Sequence, residues 1–422
     1  NYPKFCGLEV IESGHFPEDW RGTMVTCDFR ANRVVRFGIN ELGSGYITKE
    51  LPDLMRSANV TFRPIDVKVG PDGALYIADW SNPIIQHGEV DFRDPRRDHT
   101  HGRIWRVAHK GRAPLPKPAF RTAANPALLA NLLSPDGHLR QQSRRVLAER
   151  GADAIRDDLK TFTKEQSAGQ GALEALWMWQ SIDLPEPELL KRVLADKEGG
   201  VRAAGVRVLS FWLKRVENPM ELLATMAGDD HPRVRVEAIR ALSKLPSARS
   251  AELVLGVLDK PMDKYLDYAV WLTLNDLADV WVKALQSGDW KHEGRESQLA
   301  FGLRAIEPRL AGQVLSSLLA SATLAKDGSG PWIDLVRTAG TPAELALLLG
   351  KAAEGYFDDL AAVKVLNAAN EAARARNTRA GRRGRRRLTS TSCSGTRSSM
   401  TSRSPRFTGE ASRSHQISPA WC

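Results

Sequence analysis

A ten-residue pattern that repeats along the middle of the chain constrains the fold more than any other feature. Its clear copies start at residues 139, 201 and 234, so they lie 62 and 33 residues apart, and each has Arg at its second and seventh positions. A weaker copy starts at residue 265, and an apolar segment, 171–179, occupies the register between the first two clear copies. Apolar residues spaced three and four apart are typical of helices that bury one face. A spacing near 33 residues is that of helical pairs stacked on one another.

We therefore predict a HEAT- or armadillo-like α-solenoid over residues 126–373, with roughly six to eight helical pairs. An Asp precedes each clear copy, at Asp136, Asp196 and Asp229, where a carboxylate can cap a helix N-terminus. We interpret the repeated Arg residues as partners of Asp in neighbouring repeats rather than as a binding ladder. A solenoid usually presents its concave face to a protein partner. The Trp residues of this region are predicted to pack rather than to stack on a ligand, namely Trp177, Trp179, Trp212, Trp271, Trp281, Trp290 and Trp332.

Residues 1–112 are predicted to form β-sheet. Short apolar or alternating runs recur between turn-forming residues, at 7–11, 24–29, 34–39, 65–69, 74–80 and 104–107. A strand followed by Asp, an aromatic residue and Asn occurs twice, with the two Asp residues 51 positions apart; its polar residues are Asp28, Asn32, Asp79 and Asn82. This repetition is typical of successive blades of a β-propeller, with each Asp accepting N–H bonds of the following turn. A site role for these four residues is the alternative.

The fold class that follows is a multidomain chain, β first and then α. It begins with a partial β-propeller of about two blades over residues 1–112, because propellers use roughly four to eight blades and the others would lie upstream of Asn1. A linker over residues 113–125 leads to the solenoid, and a disordered tail over residues 374–422 follows it.

The segment 81–103 interrupts the second predicted blade with a long polar loop. Long loops on a rigid scaffold often carry function. Three interpretations stay open: a metal site with nitrogen and oxygen ligands, a contact with substrate or partner, and an ion-pair network that orders the loop. The generic spacing favours the network, so we predict no specific metal site, and no motif identifies a catalytic residue. The candidate contact residues are His87, Asp91, Asp94, Arg97, Asp98, His99, His101 and Arg103.

The positive charge of the chain is concentrated in its last 49 residues. The whole chain has 60 basic and 50 acidic side chains, a net charge of +10. Residues 374–422 contain twelve Arg, no Lys and one acid, Glu410, and so carry +11, which leaves −1 for residues 1–373. We therefore expect no nucleic-acid partner for the folded part. The Arg- and Ser-rich tail is predicted to be disordered. We interpret it as the product of a reading-frame shift near residue 374; the alternative is a basic tail that binds nucleic acid.

The four cysteines limit which haem attachments and disulfides the chain can form. They lie at Cys6, Cys27, Cys393 and Cys422, with no CxxC and no CxxCH motif, so we predict no attached c-type haem within these residues. Cys6 and Cys27 are candidates either for a disulfide or for buried free thiols. No run of about 18 apolar residues is present, so we predict no membrane span in the chain.

Four segments resemble one known family. They are residues 7–22, 26–34, 67–80 (VKVGPDGALYIADW) and 93–105 (RDPRRDHTHGRIW). They are similar to the membrane-bound dehydrogenases of planctomycetes and verrucomicrobia. Those chains join a propeller like that of glucose/sorbosone dehydrogenases, HEAT repeats and a C-terminal c-type cytochrome with a CxxCH motif. The resemblance is specific over residues 1–112 and looser over the repeats.

The resemblance implies a fragment of an extracytoplasmic or periplasmic, membrane-associated dehydrogenase that passes electrons from an organic substrate, such as a sugar, to haem. For the full-length family it implies c-type haem and, by analogy with related propellers, a quinone cofactor with Ca²⁺. The upstream blades and the haem domain lie outside residues 1–422, so we expect this chain alone to be inactive. The alternative function is a non-enzymatic scaffold in which the propeller and the solenoid both bind proteins.

Overall fold

The structure, a computed structural model, describes residues 3–85, 90–321 and 324–375. Its first part contains two antiparallel sheets. The first sheet has strand order β1-β2-β3-β4, and the second has order β5-β6-β7. The strands are β1 Phe5–Val10, β2 Met24–Asp28, β3 Arg33–Leu42, β4 Gly45–Arg56, β5 Pro64–Val69, β6 Leu75–Asp79 and β7 Arg103–Val107.

One apolar core joins the two sheets. Val25, Val34, Val67 and Ile77, from strands of both sheets, are fully buried in it. The turn between β5 and β6 is closed by a hydrogen bond from the Gly70 N–H to the Ala74 carbonyl, at 2.8 Å. The two sheets are therefore one packed unit, as the alternation of apolar residues predicts.

The two sheets do not show a propeller. They are open meanders of four and three strands within the described residues, and the predicted ring of blades stays a prediction. Strand β4 is not among the strands that the sequence predicts, because most of its side chains are exposed on both faces and it contains Pro52. Such a strand lacks the alternation of apolar and polar residues on which strand prediction depends.

Cys6 and Cys27 are free thiols that face each other across β1 and β2. Cys27 is fully buried in the core of the sheets, and Cys6 packs against that core. Burial, followed by the neighbouring Cys6, raises the pKa of the Cys27 thiol to about 12. Of the two alternatives that the sequence leaves open, the structure has the free thiols.

The described residues between 125 and 375 fold mainly into helices. They are α1 Asn125–Asn131, α2 Gly137–Arg150, α3 Ala152–Glu165, α4 Gly169–Ser181, α5 Pro187–Leu194, α6 Gly199–Trp212, α7 Pro219–Ala227, α8 Pro232–Leu242, α9 Ala248–Gly256, α10 Lys264–Asp276, α11 Ala278–Ser287, α12 Glu296–Ala305, α13 Pro308–Ser321, α14 Trp332–Ala339, α15 Pro342–Ala353 and α16 Asp359–Ala375.

The helices stack in two layers. The even-numbered helices from α2 to α16 pack side by side, each against the next, and we call them layer A. The odd-numbered helices from α7 to α15 pack in the same way behind them. One apolar cluster runs through the stack from Leu128 to Ala372. This is the α-solenoid that the repeat predicts. The three clear copies of the repeat lie on α2, α6 and α8, the weaker copy on α10, and segment 171–179 on α4.

The first Arg of each repeat closes the loop before its own helix and reaches a neighbour. Arg202 donates to both carboxylate oxygens of Asp229 in the next repeat, each at 2.8 Å, and to the Asp196 carbonyl. Arg235 donates to the carbonyls of Asp229 and, in the next repeat, Pro261. These contacts agree with the interpretation that the Arg residues connect repeats.

The three predicted Asp caps differ from one another. Asp136 is the N-cap of α2, and its side chain accepts from the Leu139 N–H at 2.9 Å. Asp196 and Asp229 lie two residues before the N-cap positions of α6 and α8 and accept the N–H of the N-cap residue itself. Their carboxylates therefore close the turn that leads into each helix, and the expectation that they cap it was wrong.

Hydrogen bonds at two places join the sheets to the solenoid. The Glu12 carbonyl accepts from the Gly137 N–H at 2.7 Å, and the Glu12 carboxylate accepts from Arg140 at 2.6 Å. The tip of the β3–β4 hairpin reaches the start of α10, where Ser44 donates its N–H and its hydroxyl to Asp263 at 2.6 and 2.8 Å. Within the described part of the chain, every helix is too short or too polar to cross a bilayer.

Candidate functional site

The predicted loop 81–103 is held by contacts within itself. Arg97 is buried and donates to the carbonyls of Ile84, Val90 and Asp91, at 3.0 to 3.1 Å. A guanidinium with five donors is suited to gathering several carbonyl oxygens. Arg97 therefore orders the loop from inside, which is a structural role.

The acids of this loop also have local partners. Asp94 accepts from the Arg96 side chain and backbone, and these bonds lower the pKa of Asp94 to about 2. Asp98 accepts from the backbone N–H groups of Thr100 and His101 and pairs with the His101 ring at 3.1 Å, which lowers the pKa of Asp98 to about 2. The strong local pairing favours the loop-ordering interpretation.

The other loop candidates are not brought together as a site. Asp91 accepts from the Arg93 N–H, His99 is exposed, and Arg103 pairs with the buried Asp79 at 3.0 Å. His87 lies outside the described residues. Among those that are described, no group of three or more His, Cys, Asp or Glu side chains could hold a metal ion.

The four polar residues of the predicted blades lie at turns. Asp28 accepts from the Ala31 N–H at 3.3 Å, and Asp79 accepts from the N–H groups of Arg63 and Ser81, both at 2.8 Å. Asn32 has a φ of 56° and donates to the Phe62 carbonyl. The fourth, Asn82, accepts from the Ile84 N–H. These bonds close turns and connect the two sheets, as a structural role requires.

A different surface stands out on layer A. Positions 4 and 7 of the repeat and the residue directly after its tenth position, which we number 11, lie on one face of each helix, because they are three and four residues apart. We call the surface that they form on α4, α6, α8 and α10 the repeat face. It comprises Glu174, Trp177 and Ser181; Ala204, Arg207 and Phe211; Glu237, Arg240 and Lys244; and Tyr268, Trp271 and Asn275.

Large aromatic side chains are exposed on the repeat face. Phe211 is 64% exposed, Tyr268 60% and Trp271 41%. Tyr268 and Trp271 stack with their ring centroids 5.8 Å apart, and the Lys244 ammonium lies 5.0 Å from the centre of the Phe211 ring. Exposed aromatic residues grouped on one surface are typical of interaction sites, since burying them removes a large apolar area from water.

Between α6 and α8 the repeat face forms a groove, with a volume of about 220 Å³. Arg207 pairs with Glu237, whose side chain is only 8% exposed, and this bonding raises the pKa of Arg207. Arg240 approaches the same carboxylate at 3.9 Å. The groove is lined by Arg207, Ser210, Phe211, Glu237, Arg240 and Lys244.

A larger cleft of about 480 Å³ lies where the sheets meet α2 and α4. In it the buried Glu174 pairs with Arg144 and lies 3.8 Å from Arg140, and the Arg144 guanidinium lies 5.5 Å from the centre of the Trp177 ring. Because Arg140 also pairs with Glu12 of the sheet region, this network fixes the sheets against the solenoid. We call it the seam cleft.

The β3–β4 hairpin borders the repeat face at the other end. Tyr46 lies under the Arg233 guanidinium, 4.6 Å from it, and Glu41 is 3.9 Å from His231, so the hairpin contacts the start of α8 as well as that of α10. The sheets therefore flank layer A from the seam cleft to α10.

The repeat face contains none of the loop residues that the sequence singles out as candidate contacts, and those contacts stay a prediction. The sequence predicts that Trp271 packs, whereas Trp271 is 41% exposed. One signal was available: Trp271 occupies the seventh position of the repeat, where the clear copies have an exposed or half-exposed Arg. An aromatic residue at a position that faces solvent in other copies indicates a contact surface.

Two family models match parts of the chain. A domain of unknown function (DUF7133) matches residues 1–111, and HEAT repeats match residues 186–275. No curated protein matches the chain. The prediction of HEAT repeats is therefore confirmed over residues 186–275, a range that includes α6, α8 and nearly all of α10, which carry the exposed part of the repeat face.

Proposed function

We propose that this chain is a protein-interaction scaffold that binds its partner on the repeat face. The observation that carries the proposal is the exposure of Phe211 on α6 and of Tyr268 and Trp271 on α10, in two repeats of a HEAT solenoid that flank the repeat on α8. HEAT solenoids use extended surfaces to bind other proteins. Aromatic residues and Arg contribute most of the binding energy in protein interfaces. No catalytic residue is part of this proposal.

The repeat face also has the shape and composition of an interface. Its aromatic residues alternate with the cations Arg207, Arg240 and Lys244, and the sheets border it on one side. The dehydrogenase function, its haem, quinone and Ca²⁺ cofactors, its sugar substrate and its extracytoplasmic location stay predictions from the resemblance. Neither the fold nor the family matches support them.

Site-specific photo-crosslinking tests the proposal. Benzoylphenylalanine is introduced at position 211 or 271 and, as a control, at position 347 on α15. Leu347 is 42% exposed, close to the 41% of Trp271, but lies in the odd-numbered layer. After irradiation in the native host cell, we expect positions 211 and 271 to capture the same protein and position 347 not to capture it. Absence of an adduct at both test positions, or the same adduct at position 347, would contradict the proposal.

A further inference from the structure

The groove between α6 and α8 has more positive charge than its own residues can neutralise. It is lined by three cations and one acid, Glu237, among the described residues. The Glu237 carboxylate is buried and accepts hydrogen bonds from Nε and Nη2 of Arg207, so it neutralises that cation. A net charge of +2 is thus left at the mouth of the groove.

Arg240 and Lys244 are the cations with donors to spare. The Arg240 side chain is 64% exposed, and its distance of 3.9 Å from the Glu237 carboxylate is too long for a hydrogen bond. Lys244 donates to the Ser210 carbonyl at 3.2 Å and to the Ser210 hydroxyl at 3.4 Å and lies over Phe211, so one of the three donors of its ammonium is left. Both side chains start from α8, at positions 7 and 11 of its repeat, so they lie on the same side of that helix.

We propose that this groove binds an acidic peptide segment of the partner protein. The inference rests on the proposed function and names the chemistry of the partner. A carboxylate of the segment accepts from Arg240 and Lys244, and an apolar side chain next to it packs on the exposed Phe211 ring. Charge-assisted hydrogen bonds of this kind are stronger than neutral ones, and the aromatic ring supplies the apolar area.

A single-stranded nucleic acid is the alternative ligand, because its phosphates are anionic and its bases could stack on Phe211. The charge around the groove disfavours it. Residues 1–373 carry a net charge of −1. The neighbouring seam cleft does not extend the positive charge, because its three acids, Glu9, Glu12 and Glu174, exceed its two cations, Arg140 and Arg144. A phosphate backbone needs a positive track along several nucleotides, whereas the cations of this groove fit one or two carboxylates.

The test selects ligands without assuming a sequence. A phage library of random twelve-residue peptides is selected on the full chain, and enriched peptides are made with a fluorescein label for polarisation titrations. We expect enrichment of Asp and Glu next to an apolar residue. Replacing those acids with Asn and Gln should weaken binding at least about tenfold, as expected for the loss of charge-assisted bonds.

Two charge-reversed variants locate the binding site. The double variant R240E/K244E should bind the acidic peptides at least about tenfold more weakly, since like charges then face each other. The control K283E/R309E makes the same charge change at exposed positions of α11 and α13 and should bind within about twofold of wild type. Circular dichroism of all variants shows whether they are folded.

The outcomes separate this inference from the proposed function. Enriched peptides without acids, or acidic peptides that R240E/K244E binds as well as wild type, overturn the inference. If such peptides still lose binding when Trp271 is changed to Ser, the proposed function stands. If neither R240E/K244E nor Trp271→Ser weakens the binding of any enriched peptide, the inference and the proposed function are both wrong. Tighter binding of a labelled twenty-residue oligo-dT than of every peptide, with loss in R240E/K244E, overturns the choice of a peptide.

Discussion

Replacement of Trp281 with alanine is expected to lower the free energy of unfolding by about 3–5 kcal/mol, the usual cost of removing a large aromatic side chain from a core. Trp281 lies on α11 and is 0% exposed. Its ring meets that of Trp290 edge to face, with the centroids 5.8 Å apart, and its six-membered ring lies directly over Gly302 of α12. The cavity left by the substitution therefore opens between α11 and α12. Urea denaturation measures the change.

Trp271→Ala is the matched control. The same substitution on the repeat face removes a side chain that is already 41% exposed, so we expect a loss of less than about 1 kcal/mol. Equal losses for the two variants would contradict the assignment of Trp281 to the core and Trp271 to the surface.

Asp263→Ala is expected to lower the free energy of unfolding by about 2 kcal/mol and to release the β3–β4 hairpin. The cap alone is worth roughly 0.5–2 kcal/mol. Asp263 accepts the N–H groups of Tyr265 and Leu266 at the start of α10, both at 2.9 Å, and also the N–H and hydroxyl of Ser44. One carboxylate thus caps a helix and anchors the sheets. Hydrogen exchange should become faster at residues 41–48 in the variant.

Asp267→Ala provides the comparison for this prediction. Asp267 is an exposed acid in the first turn of the same helix. Its replacement changes the charge near the helix N-terminus to the same extent, and we expect a loss of only a few tenths of a kcal/mol. Unchanged exchange at residues 41–48 in Asp263→Ala, or equal acceleration in Asp267→Ala, would contradict the anchoring role.

The Asp263 contacts also give a pH dependence with a definite sign. Burial alone would raise the pKa of Asp263, but hydrogen bonds from the Leu266 and Ser44 N–H groups outweigh it, so the pKa is lowered in the folded chain. A group with a lowered folded pKa stabilises the fold above its unfolded pKa, which is about 3.9 for Asp. That stabilisation is lost as the pH falls through the folded pKa, and Asp263→Ala should lack this part of the acid sensitivity.

The solenoid could be predicted from the sequence because its evidence is local and repeated. Apolar spacing marks each helix, and the fixed distance between copies marks the stacking. The match to HEAT repeats and the successive positions of the copies on α2, α4, α6, α8 and α10 follow from these two regularities. Strand β4 could not be predicted, since its residues are mostly exposed on both sides and its position depends on pairing with β3.

The site was harder to predict than the fold because exposure depends on packing between elements. The loop 81–103 has a composition typical of a site, but Arg97 turns inward and Asp94 and Asp98 are paired within the loop. The contact between Ser44 and Asp263 joins residues 219 positions apart, which no local pattern indicates. Phe211 and Trp271 likewise lie on a common surface only because the helices stack, and no local sequence pattern indicates that stacking in detail.

The central claim is that the repeat face binds a protein. The measurement that tests it most directly is the dissociation constant of the protein captured at position 211, compared between wild type, the triple variant F211S/Y268S/W271S and the control L347S. Loss of one anchor in an interface centre costs about 2 kcal/mol, a factor of about 30, and such costs are not additive, so we expect the triple variant to bind at least about 100-fold more weakly. L347S should match wild type. Equal affinity of the triple variant and wild type, with the fold intact, would contradict the claim.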